Sequence, residues 1–121
     1  MKIALSSFGP NLMSQLSPRV KGCHYLLILD PANLANPHLE VFENKGSDQE
    51  DDDGNPALEY MLSRKVNALI TGRCRKDTFE ILTKAGIGVY LKQSGIVKDV
   101  LEKYTHGLLK RATRPDAREG S

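Results

Sequence analysis

The sequence predicts an α/β fold, a five-stranded mixed sheet covered by three helices. Three observations lead there. Five short apolar runs, bounded by Gly, Pro, Asn or Asp, have the length and flanks of strands. Three longer segments carry apolar residues three and four apart, the helical period. The order is β β β α β α β α. Strands that follow each other directly pair as an antiparallel meander, whereas strands separated by a helix need parallel crossovers. The chain has 121 residues, 40% of them apolar, which is enough for one modest core and not for two.

Residues 2–6 read as a short buried strand, and residues 7–23, punctuated by Gly9-Pro10, Ser17-Pro18 and Gly22, as a long loop. His24 to Asp30 form a strong strand that ends at Pro31. Residues 31–37 hold two prolines and two asparagines and signal a turn; residues 38–43 suggest a more exposed strand. An acidic loop, 44–54, leads to Asn55-Pro56, an N-cap followed by proline at the first helical position. The first helix presents Leu58, Met61 and Leu62, and residues 67–71 make the fourth strand. Phe79, Leu82 and Ala85 mark a second helix, stopped by Gly86, before a last strand at 87–90. Ser94 can cap a third helix carrying Ile96, Val97, Val100, Leu101 and Tyr104, which Gly107 ends. The domain is expected to span 1–109, with 110–121 a flexible basic tail.

The charge balance excludes several function classes. The formal net charge is +2, far from the basic bias of a dedicated nucleic-acid binder, so nucleic-acid binding is not expected. No apolar run approaches the roughly 18 residues that span a bilayer, and no signal peptide opens the chain. The expected setting is the cytoplasm, where Cys23 and Cys74 would remain free thiols. There is no Gly-x-Ser-x-Gly, phosphate-binding loop or dinucleotide fingerprint, so the chain is not expected to be an enzyme.

Placing the first strand parallel to the fourth locates a site. The chain leaves the first strand one way and the fourth the other way. Ligands favour such a switch point, at the carboxyl ends of the strands. Collected at that edge are Ser7, Arg19 and Lys21 from the first loop, Cys23 and His24 at the start of the second strand, and Gly72, Arg73, Cys74, Arg75 and Lys76 from the turn into the second helix. A helix N-terminus with Arg and Lys beside it suits an anion. Cys23, His24 and Cys74 are soft or borderline donors, suited to copper, zinc or iron–sulfur species, and cationic neighbours would favour their thiolates. The same residues also read as buried small hydrophobes, a strand-end histidine and ordinary solvated loop charge. Tyr25, Phe79 and Tyr90 read as core, and His38 and His106 as surface. The acidic run Asp48–Asp53 lacks the spacing of a calcium loop.

At these residues the sequence resembles the nitrogenase iron–molybdenum cofactor-biosynthesis accessory family, the dinitrogenase iron–molybdenum cofactor-binding domain also found in metal–sulfur cluster carriers. The resemblance lies in Met1-Lys2-Ile3-Ala4, in Ser17-Pro18-Arg19-Val20 followed by Tyr25 to Asp30, and above all in Ala68-Leu69-Ile70-Thr71-Gly72, Phe79 to Leu82 and Ala85-Gly86-Ile87-Gly88-Val89-Tyr90. It implies a three-layer α/β/α, ribonuclease-H-like layout with strand order 3-2-1-4-5. It also implies non-enzymatic binding or carriage of an anionic metal–sulfur cluster, iron–molybdenum or related, including molybdenum–copper, for cofactor assembly or storage. Cluster-assembly or cluster-receiving proteins are the implied partners; the oligomeric state stays open. Cys23, His24 and Cys74 stand where the family ordinarily has small, apolar or proline residues, so they are features of this chain. The alternative function is an interaction or regulatory module of the same superfamily that has lost the cluster and contacts an assembly partner. Ribonuclease-H-like nuclease chemistry would need clustered carboxylates, and the expected topology sends Asp30 and Asp77 to opposite ends.

Overall fold

A computed structural model describes residues 1–20, 22–33, 38–44 and 56–113. Its elements are β1 (Ile3–Ser7), β2 (Tyr25–Leu29), a single 3-10 turn (Pro31–Asn33), β3 (Glu40–Glu43), α1 (Pro56–Arg64), β4 (Ala68–Ile70), α2 (Lys76–Lys84), β5 (Gly88–Tyr90) and α3 (Val97–Thr105). The sheet has the order β3-β2-β1-β4-β5. β1–β2 and β2–β3 are antiparallel; β1–β4 and β4–β5 are parallel. The expected element order, strand order and α/β class are all present.

Alternation along the strands builds two cores. Ala4, Leu26, Ile28, Leu69 and Val89 point to one face and pack with Ala57, Leu58 and Met61 of α1 and Phe79 and Leu82 of α2. Ile3, Leu5, Leu27, Leu29, Ala68 and Ile70 point to the other face and meet Val97, Val100 and Leu101 of α3. The molecule is therefore three-layered. Because both faces are covered, the inner strands read as unbroken apolar runs instead of alternating ones. Each fully buried Leu or Ile contributes about 1.5–3 kcal/mol.

The ends of the helices differ in one respect from expectation. Gly86 and Gly107 follow α2 and α3 in the left-handed region, at φ +81° and +71°, as stop signals should. Ser94, however, does not cap α3. The helix starts later, with Ile96 as its N-cap and no side-chain cap. Its first N–H groups are taken by the long loop instead: Val97 N–H donates to the Ser14 carbonyl and Lys98 N–H to the Leu12 carbonyl, both at 2.9 Å. Tertiary hydrogen bonds replace the local cap and tie the loop to α3.

At the other sheet edge, the chain stays attached beyond residue 109. Ala112 N–H donates to the Val89 carbonyl at 2.7 Å, and Ala112 packs on the first core while Leu109 packs on the second. The acidic run, Asn55, and Arg114 and Arg118 of the expected tail lie outside the described residues. Among the described residues, no helix is long and apolar enough to cross a membrane.

Candidate functional site

The carboxyl ends of β1, β4 and β5 form one rim, and three loops meet there. Residues 8–19 follow β1, residues 71–75 follow β4 and residues 91–96 follow β5. The first and second loops are joined by backbone: Arg19 and Arg73 form an isolated parallel bridge, and Arg73 N–H donates to the Pro18 carbonyl at 2.8 Å. The β1–β4 ladder thus resumes beyond the strand ends, with an arginine on each side.

Gly72 makes this approach feasible. A Cβ at that position would lie 2.9 Å from both Cα and O of Pro18, closer than real Cβ contacts allow. The third loop folds back over the same turn. Lys92 N–H donates to the Gly72 carbonyl at 2.7 Å and Gln93 N–H to the Thr71 carbonyl at 3.3 Å, with Lys92 in the left-handed region at φ +65°. The first loop is held from within by Phe8 N–H to the Gln15 carbonyl and Met13 N–H to Asn11 Oδ1, and to the third loop by Leu16 N–H to the Gly95 carbonyl.

Around this backbone frame stand the cations. Arg19, Arg75, Lys76 and Lys92 are exposed and Arg73 is half-buried. α2 begins at Lys76 behind Arg75, which has extended backbone, φ −68° and ψ 154°, and makes no side-chain cap. Arg75 Nε lies 3.6 Å from Asp77 Oδ1, and the same carboxylate oxygen accepts the Thr78 N–H at 2.9 Å. The arrangement offers guanidinium and ammonium donors beside a helix N-terminus, the elements of an anion site.

The sequence-predicted residues divide clearly. Arg19, Gly72, Arg73, Arg75 and Lys76 are brought to this rim, while Lys21 lies outside the described residues. Ser7 is fully buried, and its hydroxyl donates to the Gly9 carbonyl at 2.7 Å, so it serves the turn. His24 is exposed at the same end, its ring 6.0 Å from that of Phe8.

The two cysteines lie in the core. Cys23 and Cys74 both sit in the first hydrophobic core, 1% and 4% exposed. Burial pushes the Cys23 thiol up to about 12, outweighing its hydrogen bonds to Asn44 and backbone. Burial, with the nearby Asp77 carboxylate, pushes Cys74 up to about 12 as well. The cationic neighbours do not reverse this, because loss of hydration outweighs charge attraction. Among the described residues, no three His, Cys, Asp or Glu side chains form a metal-holding group. Asp30 and Asp77 are separated as expected. Asp30 follows β2, 3.8 Å from the N-terminal amine, whereas Asp77 lies in the first turn of α2.

One contributor escaped sequence reading. Lys92 follows β5, and the carboxyl end of a parallel strand was itself the signal that could have singled it out. The run Lys92-Gln93-Ser94-Gly95 reads locally as a plain polar connection.

Comparison with known proteins agrees with this fold. The fold is shared with the apo form of the orange protein from Desulfovibrio gigas, at 24% identity and a TM-score of 0.84 over 95% of each chain. A Thermotoga protein described as a candidate NifB protein is 29% identical, with a TM-score of 0.74 over 91% of each chain. A candidate dinitrogenase from Methanocaldococcus jannaschii is 20% identical, with a TM-score of 0.73, covering 95% of this chain and 97% of that one. Among curated proteins none matches. Residues 1–107 match the family model described as dinitrogenase iron-molybdenum cofactor, and by that match across both cores and all three rim loops the chain belongs to this family.

Proposed function

We propose that the rim holds an anionic metal–sulfur cluster, iron–molybdenum or related, as cargo for cofactor assembly or storage, without catalysing a reaction on it. The observation that carries this reading is the parallel bridge between Arg19 and Arg73. It fixes two arginines on a backbone frame whose third side supplies Lys92 and whose floor is the start of α2. Cationic donors anchored on a common backbone frame favour a multivalent anion with several acceptor atoms, as a sulfide-faced cluster is.

The donor set also decides how the cargo would be held. Both thiols are buried, and burial pushes each up to about 12, which disfavours the thiolate form a metal would take. Charge and N–H donors to the outer sulfur atoms do the holding, which suits a cargo that must later be released. Cluster-loading and cluster-receiving proteins are the partners this role requires.

The test uses tetrathiomolybdate, a molybdenum–sulfur dianion with visible absorption, added anaerobically to the full chain. The wild-type protein should retain colour through desalting. Reversing two rim charges, Arg73→Glu with Arg75→Glu, should abolish retention while the circular dichroism spectrum stays the same. Undiminished retention by that variant refutes the site. A wild-type protein that retains nothing, even after incubation with a reconstituted iron–molybdenum cluster, points to an interaction module.

A further inference from the structure

Beneath the cationic rim lies a small polar group enclosed by hydrophobic core. Ser6 and Thr71 are fully buried and Ser17 is 4% exposed. Ser6 ends the core-facing series of β1, Thr71 follows β4, and Ser17 belongs to the first loop. Ser6 Oγ lies 2.7 Å from the Ser17 carbonyl oxygen and 2.7 Å from Thr71 Oγ1.

Proton bookkeeping orders these contacts. The Ser6 hydroxyl has one hydrogen, and the Ser17 carbonyl can only accept. Ser6 therefore donates to Ser17, and Thr71 donates to Ser6. The alternative contact, from Thr71 Oγ1 to the Ser17 carbonyl, is longer at 3.4 Å. The chain continues outward, because Ser17 Oγ donates to the Arg19 carbonyl at 3.3 Å. Thr71 is also anchored by backbone on its other side. Its N–H donates to the Tyr90 carbonyl at 3.0 Å, and its carbonyl accepts from Gln93 N–H at 3.3 Å. The buried Ser6 hydroxyl thus connects the loop that carries Arg19 with the turn that carries Arg73, and the backbone of Thr71 joins that turn to the loop that carries Lys92.

We infer that Ser6 and Thr71 are positioning residues for the anion site, a hydroxyl latch that sets the spacing of the cations without touching the cargo. The inference rests on the cargo reading above. In water-free surroundings such a chain is directional, and breaking it leaves a buried acceptor or donor unpaired. Apolar residues at positions 6 and 71 would still fill the space, so packing alone does not call for hydroxyls there. The cradle does: without the latch, the first loop and the turn after β4 are joined to each other by the backbone bond from Arg73 N–H to the Pro18 carbonyl, with no side-chain tie beneath it. A site whose supports are lost loosens by fractions of an ångström, enough to weaken multipoint binding.

The experiment measures the tetrathiomolybdate dissociation constant and thermal stability together, on the full chain. Ser6→Ala and Thr71→Val should each weaken binding by about tenfold or more, at unchanged stoichiometry and with native circular dichroism. Thr71→Ser restores the hydroxyl and should bind within about twofold of wild type. Ile3→Ala, fully buried at the amino end of β1 and so at the opposite end of the sheet from the rim, should lower the melting temperature yet leave the dissociation constant unchanged. If Thr71→Val binds as tightly as wild type, or if Thr71→Ser is as weak as Thr71→Val, the latch assignment is overturned. If wild-type protein binds no thiomolybdate, the cargo reading fails first, which is a separate result. Should Ser6→Ala not fold, the isosteric Thr71→Val and its serine rescue decide the matter.

Discussion

At the scale of single residues, environment overrules residue type. Cys23 and Cys74 have the chemistry of metal ligands, but both are enclosed by core, with thiols pushed up to about 12 from an ordinary 9.0. The folded protein holds these protons in a range where the unfolded chain releases them. Their contribution is thus fully present below pH 9.0 and disappears as pH rises towards about 12. Wild-type stability should fall across that window more steeply than that of the Cys23→Ala, Cys74→Ala variant, as measured by denaturant unfolding at stepped pH. Parallel pH profiles would show that the two thiols do not titrate as described. Nothing in the local sequence around either cysteine reports burial: Cys23 follows a glycine and Cys74 stands between two arginines.

Elements meet through glycine and backbone at the site. The turn after β4 passes Pro18 so closely that only glycine fits at position 72. Gly72→Ala should cost about 1–3 kcal/mol, since the atoms it meets belong to backbone and cannot swing away. Urea unfolding measures this, and an unchanged midpoint would mean that the loops are free to separate. The same substitution should loosen the Arg19–Arg73 bridge and weaken thiomolybdate retention. The strands and helices themselves were legible because their cues are local: apolar runs of strand length, spacings of three and four, and Gly86 and Gly107 as stops. The start of α3 was not, because its cap is the backbone of residues 12–14, remote in sequence, and no nearby side chain announces it.

For the molecule as a whole, the three layers are held at one edge by a strap. Residues 109–112 cross the outside of β5, with Leu109 packed on one core and Ala112 on the other. In a parallel strand alternate residues turn their peptide groups the same way, and Val89 is the residue of β5 that turns outward. Its carbonyl is satisfied by Ala112 N–H. Ala112→Pro removes that donor and should lower stability by about 1 kcal/mol in denaturant unfolding. No loss would show that the strap does not support the edge. The tail composition, basic and with few apolar residues, hid this contact because two small anchors suffice to make it.

The order of amino acids by itself determined the fold class, the number of strands and helices, and the end of the sheet where cations gather. Those properties follow from periodicity and chain direction, which every segment carries within itself. Only the tertiary structure decided which of the gathered residues face solvent as donors and which sink into the core. It also decided that a buried serine, unremarked in the sequence, links two of the rim loops through its hydroxyl. Burial and hydrogen-bond partners belong to pairs of distant segments, and no single segment encodes them.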